Sequence, residues 1–237
     1  MKMNKKNESN SSCSITAKNS CCATSEGTTS TKDLKSHWDK AYTNSPEEKL
    51  GWFETDLNPM LQLIDKTKLS KEAKIINIGA GSTVLIDELL NQGYNRLIAS
   101  DISKVALKNL ENRVGNKNVE FIVDDLLNSE KLNNINPVDL WIDRAVLHFF
   151  TEDKDQDIYF NLLKNKVKPE GFVILAEFNL QGAKKCSGLD VFQYDAKMLQ
   201  NKLGDGYKLI EVFDYTYTMP SGDEREYVYT LFKKLKN

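Results

Sequence analysis

"IINIGAGSTV", residues 75–84, is a short apolar run that breaks into two glycines and two small hydroxyl residues. Its reading decides the fold. Glycine loses more conformational freedom on folding than any other residue, so a bend this bare after a buried strand needs a compensating gain. A ligand pressed against the backbone supplies one, because glycine permits close approach and a following helix presents free N–H groups.

Outward from that bend the pattern alternates. Strand-like runs occupy 74–79, 96–101, 119–125, 138–144 and 171–178, with helical stretches at 82–92, 103–113, 154–168 and 193–203. Strands that are apolar throughout and separated by helices predict a parallel sheet covered on both faces. The tail differs: "YKLIEVFDYTYT", "MPSGDE" and "REYVYTLFKKL" read as two strands around a turn, an antiparallel hairpin. The expected fold is α/β: a doubly wound, mostly parallel seven-stranded sheet with a C-terminal antiparallel hairpin strand and helices on both faces.

Upstream, Thr31 or Asp33 caps an expected helix through Tyr42, with Leu34, Trp38 and Tyr42 on one face. A second helix is expected over 58–68, with Pro59 in its first turn. Residues 1–31 are Ser, Thr, Asn and Lys with almost no large apolar side chains, the composition of a disordered leader. The chain therefore reads as this leader followed by one domain, 32–237, with lid helices over 32–70 and a core over 71–237.

The bulk properties exclude several classes. With 40% hydrophobic and 28% charged residues and a net charge of −2, the 237-residue chain has no general attraction to nucleic acid or anionic membrane. No apolar stretch approaches the roughly 18–20 residues of a membrane span. The N-terminus has no apolar secretory core, so a cytoplasmic location is expected. Cys13, Cys21, Cys22 and Cys186 form no CxxC pair and have no histidine beside them, so no metal site is expected.

In a doubly wound sheet the ligand lies beyond the C-terminal strand ends, and Gly79-Ala80-Gly81 occupies one of them. Asp101 ends the second strand, where a carboxylate accepts two hydrogen bonds from a ribose diol. Asp125 ends the third, where it meets the exocyclic amine of a base, and Ile102 and Leu126 sandwich the ring. A nucleoside-shaped ligand explains these positions together. The third glycine of the dinucleotide fingerprint is replaced by Val84, which argues against NAD or FAD and a pyrophosphate. S-adenosyl-L-methionine, with an adenine, a ribose and an amino-acid tail, fits.

The ordered motifs "IINIGAGSTVLIDELL", "LIASDIS", "FIVDDLL" and "VDLWIDRAVLHFF" resemble those of class I S-adenosylmethionine-dependent methyltransferases, over roughly residues 36–235. The resemblance implies that the last strand inserts antiparallel within the sheet. The family usually has an acidic residue two positions before the first glycine, where this chain has Asn77, an amide that orients the loop without supplying charge. "HWDKAY", "LGWFE" and "CSGLDVFQYD" look like a branch of bacterial enzymes. "LGWFE" and "GAGSTVL" are also similar to eukaryotic enzymes that methylate protein lysines. Those carry Asp-Lys-Gly after the fourth strand, where this chain has Asp143-Arg144-Ala145.

Methyl transfer from a sulfonium is an in-line displacement, so positioning the nucleophile matters most and a general base is optional. Asp143, Arg144 and His148 are the candidate catalytic group at the fourth strand's exit. His148 acts there as a base or packs against a backbone carbonyl; Arg144 recognises an anionic group or pairs with Asp143 or Glu177. Trp38, Tyr42, Trp52 and Phe53 form either a lid over the cofactor or a packed edge, with Glu54 at the entrance. Cys186 is either a buried, inert thiol or, with its pKa lowered by the two lysines beside it, joins the leader cysteines in holding a thiophilic metalloid. The expected acceptor is a small molecule, a thiol, metalloid or amine. The alternatives are a protein lysine, a non-catalytic cofactor-binding domain and an NAD-dependent oxidoreductase.

Overall fold

A computed structural model describes residues 31–81, 83–115 and 118–236. Two helices, α1 (Thr31–Asn44) and α2 (Asn58–Thr67), precede the sheet. Then follow β1 (Ile75–Ile78), α3 (Leu85–Asn91), β2 (Leu97–Asp101), α4 (Lys104–Val114), β3 (Val119–Val123) and β4 (Val138–Arg144). The second half comprises α5 (Asp153–Lys166), β5 (Val167–Phe178), a two-strand ribbon of β6 (Lys185–Cys186) and β7 (Leu189–Asp190), α6 (Ala196–Leu203), β8 (Tyr207–Thr218) and β9 (Glu224–Lys234). The leader cysteines Cys13, Cys21 and Cys22, and the disorder expected of their segment, lie outside the described residues.

The main sheet has seven strands in the order β3-β2-β1-β4-β5-β9-β8. β1 to β5 are parallel, and β9 runs antiparallel between β5 and β8. The hairpin strand therefore inserts within the sheet as the resemblance implies. Chain order reverses at β1: β2 and β3 lie to one side and β4 to the other, which opens a crevice beyond the strand ends.

The two-residue period of the strands separates two cores. Ile75, Leu140 and Ile142 pack with α2, α3 and α4 on one face. Ile76, Trp141 and Val173 pack with α5 and α6 on the other. The central strands are buried on both sides, which is why they read as unbroken apolar runs.

Of the boundaries that differ from the sequence reading, three have a clear local cause. α3 starts at Leu85, because the glycine turn and Thr83 come first, and the Thr83 hydroxyl accepts the Leu85 N–H at 3.1 Å. β3 stops at Val123, so Asp125 lies beyond the strand and caps a short 3₁₀ turn. β5 begins at Val167 instead of 171; its pairing passes from Val138–Val167 to Leu140–Phe172, and a kink around Pro169 and Glu170 (φ 64°) lies between.

Candidate active site

The β1 exit turns through Gly79 and Gly81, with φ of 58° and 49°. Both take the left-handed conformation that glycine adopts without a side-chain penalty. A Cβ on Gly79 would run into Val146 Cγ2, and one on Gly81 into the Tyr42 hydroxyl. The Asp101 carboxylate anchors the turn, accepting the Gly81 N–H at 2.9 Å and the Ser103 N–H at 2.8 Å. Burial pushes Asp101 up to about 6, against the pull of these two hydrogen bonds.

A cavity opens over this turn. Trp38, Tyr42, Trp52, Asn77, Gly79, Ala80, Asp101, Ile102, Leu126 and Arg144, all expected at the site, line it. Gly81 sits just behind, giving the Tyr42 hydroxyl its place. Asn77 is buried, and no hydrogen bond from a described residue reaches its amide. The left-handed cradle, the neighbouring carboxylate and this uncommitted amide fit a nucleoside with an amino-acid tail.

Asp125 is displaced from its expected place. Its carboxylate accepts the Leu127 N–H at 3.0 Å, and Asp124 lines the cavity instead. Asp124 in turn uses its carboxylate to hold the next loop, accepting from Ser129 Oγ at 2.8 Å and the Leu132 N–H at 2.8 Å.

The aromatic roof is docked firmly. Asp39 of α1 accepts a hydrogen bond from Ser103 Oγ at 2.7 Å, and His37 Nε2 lies 3.1 Å from Ser187 Oγ beside the ribbon. These contacts bring Trp38 against Trp52 and Phe149, with ring centroids 5.2 and 5.1 Å apart. Trp52 Nε1 donates to the Tyr42 hydroxyl at 3.0 Å. Lid and packed edge are thus one arrangement, since the same rings wall the cavity and bury α1 against α4.

Asp143 and His148 lie behind the cavity wall, fully buried, and do not line the cavity as expected of a catalytic group. Asp143 accepts the Val146 N–H at 3.0 Å and the Tyr159 hydroxyl at 2.6 Å. Glu177 accepts the His148 N–H at 3.2 Å, and its Oε2 is 3.0 Å from His148 Nδ1. Burial lowers His148 to about 3, which leaves its imidazole neutral, and drives Asp143 and Glu177 well above the carboxylate range. This group shapes the 144–149 turn from beneath. At its start Ala145 is left-handed, φ 67°, a conformation that glycine adopts without a side-chain penalty. Ala145→Gly is therefore expected to stabilise the protein by about 0.5–1 kcal/mol, read as a higher urea midpoint at unchanged slope.

Arg144 reaches the cavity but pairs with neither Asp143 nor Glu177. Its Nε is 2.9 Å from Glu54 Oε2 and donates to the Tyr229 hydroxyl at 3.1 Å, while Nη1 donates to the Trp52 carbonyl at 3.3 Å. The guanidinium also lies over Tyr217 and Tyr227, 4.8 and 5.0 Å from their ring centroids. Cys186 lines the cavity from the ribbon, but burial pushes its thiol up to about 11, so the adjacent lysines do not activate it. Among the described residues no cluster of His, Cys, Asp or Glu suits a metal ion. No described helix is long and apolar enough to cross a membrane.

Glu54 is the residue whose importance the sequence understated, although "LGWFE" lies within one of the segments that carry the family resemblance. The strand order and the glycine turn at the reversal point define the class I methyltransferase fold. Comparison with known proteins agrees. A solved S-adenosylmethionine-dependent methyltransferase from Anabaena variabilis superimposes with a TM-score of 0.70 at 14% identity, over 86% of this chain and 94% of that one. The N-methyltransferase NodS from Bradyrhizobium japonicum, solved with S-adenosylhomocysteine, gives 0.62 at 14% identity over 85% and 98%. In sequence, the chain is 28% identical to zebrafish (Danio rerio) EEF1A lysine methyltransferase 2 over 161 residues, 61% of this chain and 68% of that protein. A family model described as "Methyltransferase domain" matches residues 69–227, and the chain belongs to that family. It is a methyltransferase whose methyl donor is S-adenosylmethionine.

Proposed function

We propose that the acceptor is a lysine side chain of a protein rather than a small molecule. The observation that carries this reading is the similarity to EEF1A lysine methyltransferase 2 along 161 residues. The left-handed turn at Ala145 is compatible with it, because this is a conformation that suits the glycine of the Asp-Lys-Gly motif. The cavity's chemistry agrees: aromatic rings and a buried carboxylate suit an amine, whereas the protonated Cys186 thiol offers little to a metalloid.

In this reading Gly79 and Ala80 cradle the cofactor's amino-acid tail, Asn77 hydrogen-bonds to it and Asp101 binds the ribose. Ile102 and Leu126 flank the adenine. Trp38, Tyr42 and Trp52 close over the ligand and keep water from the reacting atoms. The bound cofactor supplies the activated methyl group; the protein supplies position. Asp143 and His148, with Glu177, act as positioning residues through the turn that they support.

The test is methyl transfer from labelled S-adenosylmethionine to purified EEF1A, with the modified residue located by mass spectrometry. Label on lysine supports the proposal. Transfer to a low-molecular-weight thiol or to arsenite, with none to protein, overturns it.

The role of Asp101 has a pH signature. Diol recognition needs an ionised carboxylate, and this one is poised at about 6. Protonation removes an acceptor, so affinity for S-adenosylhomocysteine is expected to fall as pH drops through that value. Asp101→Asn binds more weakly but with no such slope between about pH 5 and pH 8. Calorimetric titration across that range checks both.

A further inference from the structure

Three carboxylates line the cavity, and they differ in what they have left to offer. Asp101 uses one oxygen for the Gly81 N–H and the other for the Ser103 N–H. Asp124 is held by Ser129, Glu130, Lys131 and Leu132. Glu54 has its Oε2 against Arg144 Nε, but Oε1 receives only a long 3.4 Å contact from the Tyr229 hydroxyl. Good O–H···O hydrogen bonds are about 2.5–3.0 Å long. Among the described residues Glu54 Oε1 is thus the least committed of these oxygens: Asp101 keeps a second lone pair on each oxygen for the ribose diol, and Asp124 Oδ1 accepts the Glu130 N–H at 3.3 Å.

Its surroundings hold it there. The Glu54 side chain is 8% exposed. The two residues just before it are tied down, by Arg144 Nη1 donating to the Trp52 carbonyl and by the Tyr217 hydroxyl donating to the Phe53 carbonyl at 2.6 Å. Trp38, Trp52 and Phe149 line the same cavity, and aromatic faces attract a cation in a desolvated site. Arg144 satisfies one Glu54 oxygen and leaves the other free, so the pair holds the carboxylate in place without consuming it.

We infer that Glu54 is the acceptor-binding residue: its free oxygen receives the ammonium of the incoming amine beneath the aromatic roof. This deepens the proposed function and rests on it, since it requires an amine acceptor. A neutral side chain of the same length gains nothing from that oxygen. The site thereby selects lysine over an isosteric apolar residue, and truncating or neutralising Glu54 removes the selection without touching the cofactor's cradle.

The test uses two probes, Nα-acetyl-lysine methylamide and its 2-aminoheptanoic acid counterpart, whose side chain has the same length and carries a methyl group in place of the ammonium. Each is titrated by NMR into the full chain saturated with S-adenosylhomocysteine. The wild type is expected to prefer the lysine probe by about tenfold or more. Glu54→Gln is expected to erase that preference while leaving S-adenosylhomocysteine affinity within about twofold. Should Glu54→Gln fail to fold with Arg144 unpaired, the double variant Glu54→Gln/Arg144→Met removes both charges and is expected to show the same loss. A wild type that does not prefer the lysine probe overturns the amine reading and the role of Glu54 with it. A preference that persists in the variants overturns the role of Glu54 alone and leaves the amine reading standing.

Discussion

Arg144→Ala is expected to destabilise the protein by about 3–5 kcal/mol, the usual consequence of stranding a buried charge. The guanidinium is the cationic partner of Glu54 at 2.9 Å, and both side chains are largely buried, 13% and 8% exposed. Removing Arg144 leaves the Glu54 carboxylate in a wall of tyrosine and tryptophan rings, and it also removes the packing over Tyr217 and Tyr227. Burial already raises Glu54 above the ordinary carboxylate range, with Arg144 the main force holding it down. Without that force Glu54 takes up a proton more readily in the folded protein than in the unfolded one. The loss should therefore shrink as pH falls and grow towards neutrality. Urea unfolding at two pH values reads both effects. Replacing the pair by Leu and Met should restore much of the stability, because two well-packed apolar side chains strand no charge. An equal loss at both pH values would show that Glu54 reaches water once Arg144 is gone.

The second large effect falls on binding. Gly79→Ala is expected to weaken S-adenosylhomocysteine by about a hundredfold, the scale of a small misplacement in a pre-organised site. The backbone is left-handed there, φ 58°, and the new Cβ meets Val146 Cγ2. Val146 cannot retreat easily. Its N–H is held by Asp143, and the His148 N–H two residues on is held by Glu177. The strain therefore passes into the glycine turn itself. Gly93→Ala is the control, since Gly93 is also left-handed, φ 88°, but has nothing near its Cβ position. It should lose about 1 kcal/mol of stability and keep its affinity, and calorimetry with thermal melts separates the two. Equal loss of affinity in both variants would mean that the turn at Gly79 is not part of the ligand cradle.

The same geometry separates the roles of the two sets of buried acids. Asp143 and Glu177 each hold an N–H of the 144–149 turn from beneath, whereas Glu54 stands in the cavity wall. A cluster of Asp, Arg and His at a strand exit reads as catalytic because their proximity in sequence is visible and their direction is not. β4 points alternate side chains to opposite faces, so Asp143 and Arg144 part company: one goes under the wall and the other into it.

The sequence by itself determined the sheet, the order of its elements and the turn over which the cavity opens. Those features rest on local signals: apolar runs bounded by helices, two glycines after a strand, a hairpin in the tail, an acid ending β2. Each is decided by residues within a few positions of one another, so the chain carries them without reference to distant partners. What only the tertiary structure decided are pairings across long stretches of chain and the directions of individual side chains. Arg144 meets Glu54 rather than its neighbours because the segment after α1 crosses the end of the sheet and brings a carboxylate to it. Asp124 lines the cavity in place of Asp125 because β3 ends at Val123. Cys186 stays protonated because burial outweighs the pull of Arg225 and Arg144, which the fold and not the sequence brings near it. In each case the outcome depends on which groups share a desolvated space, and only the folded chain creates that space.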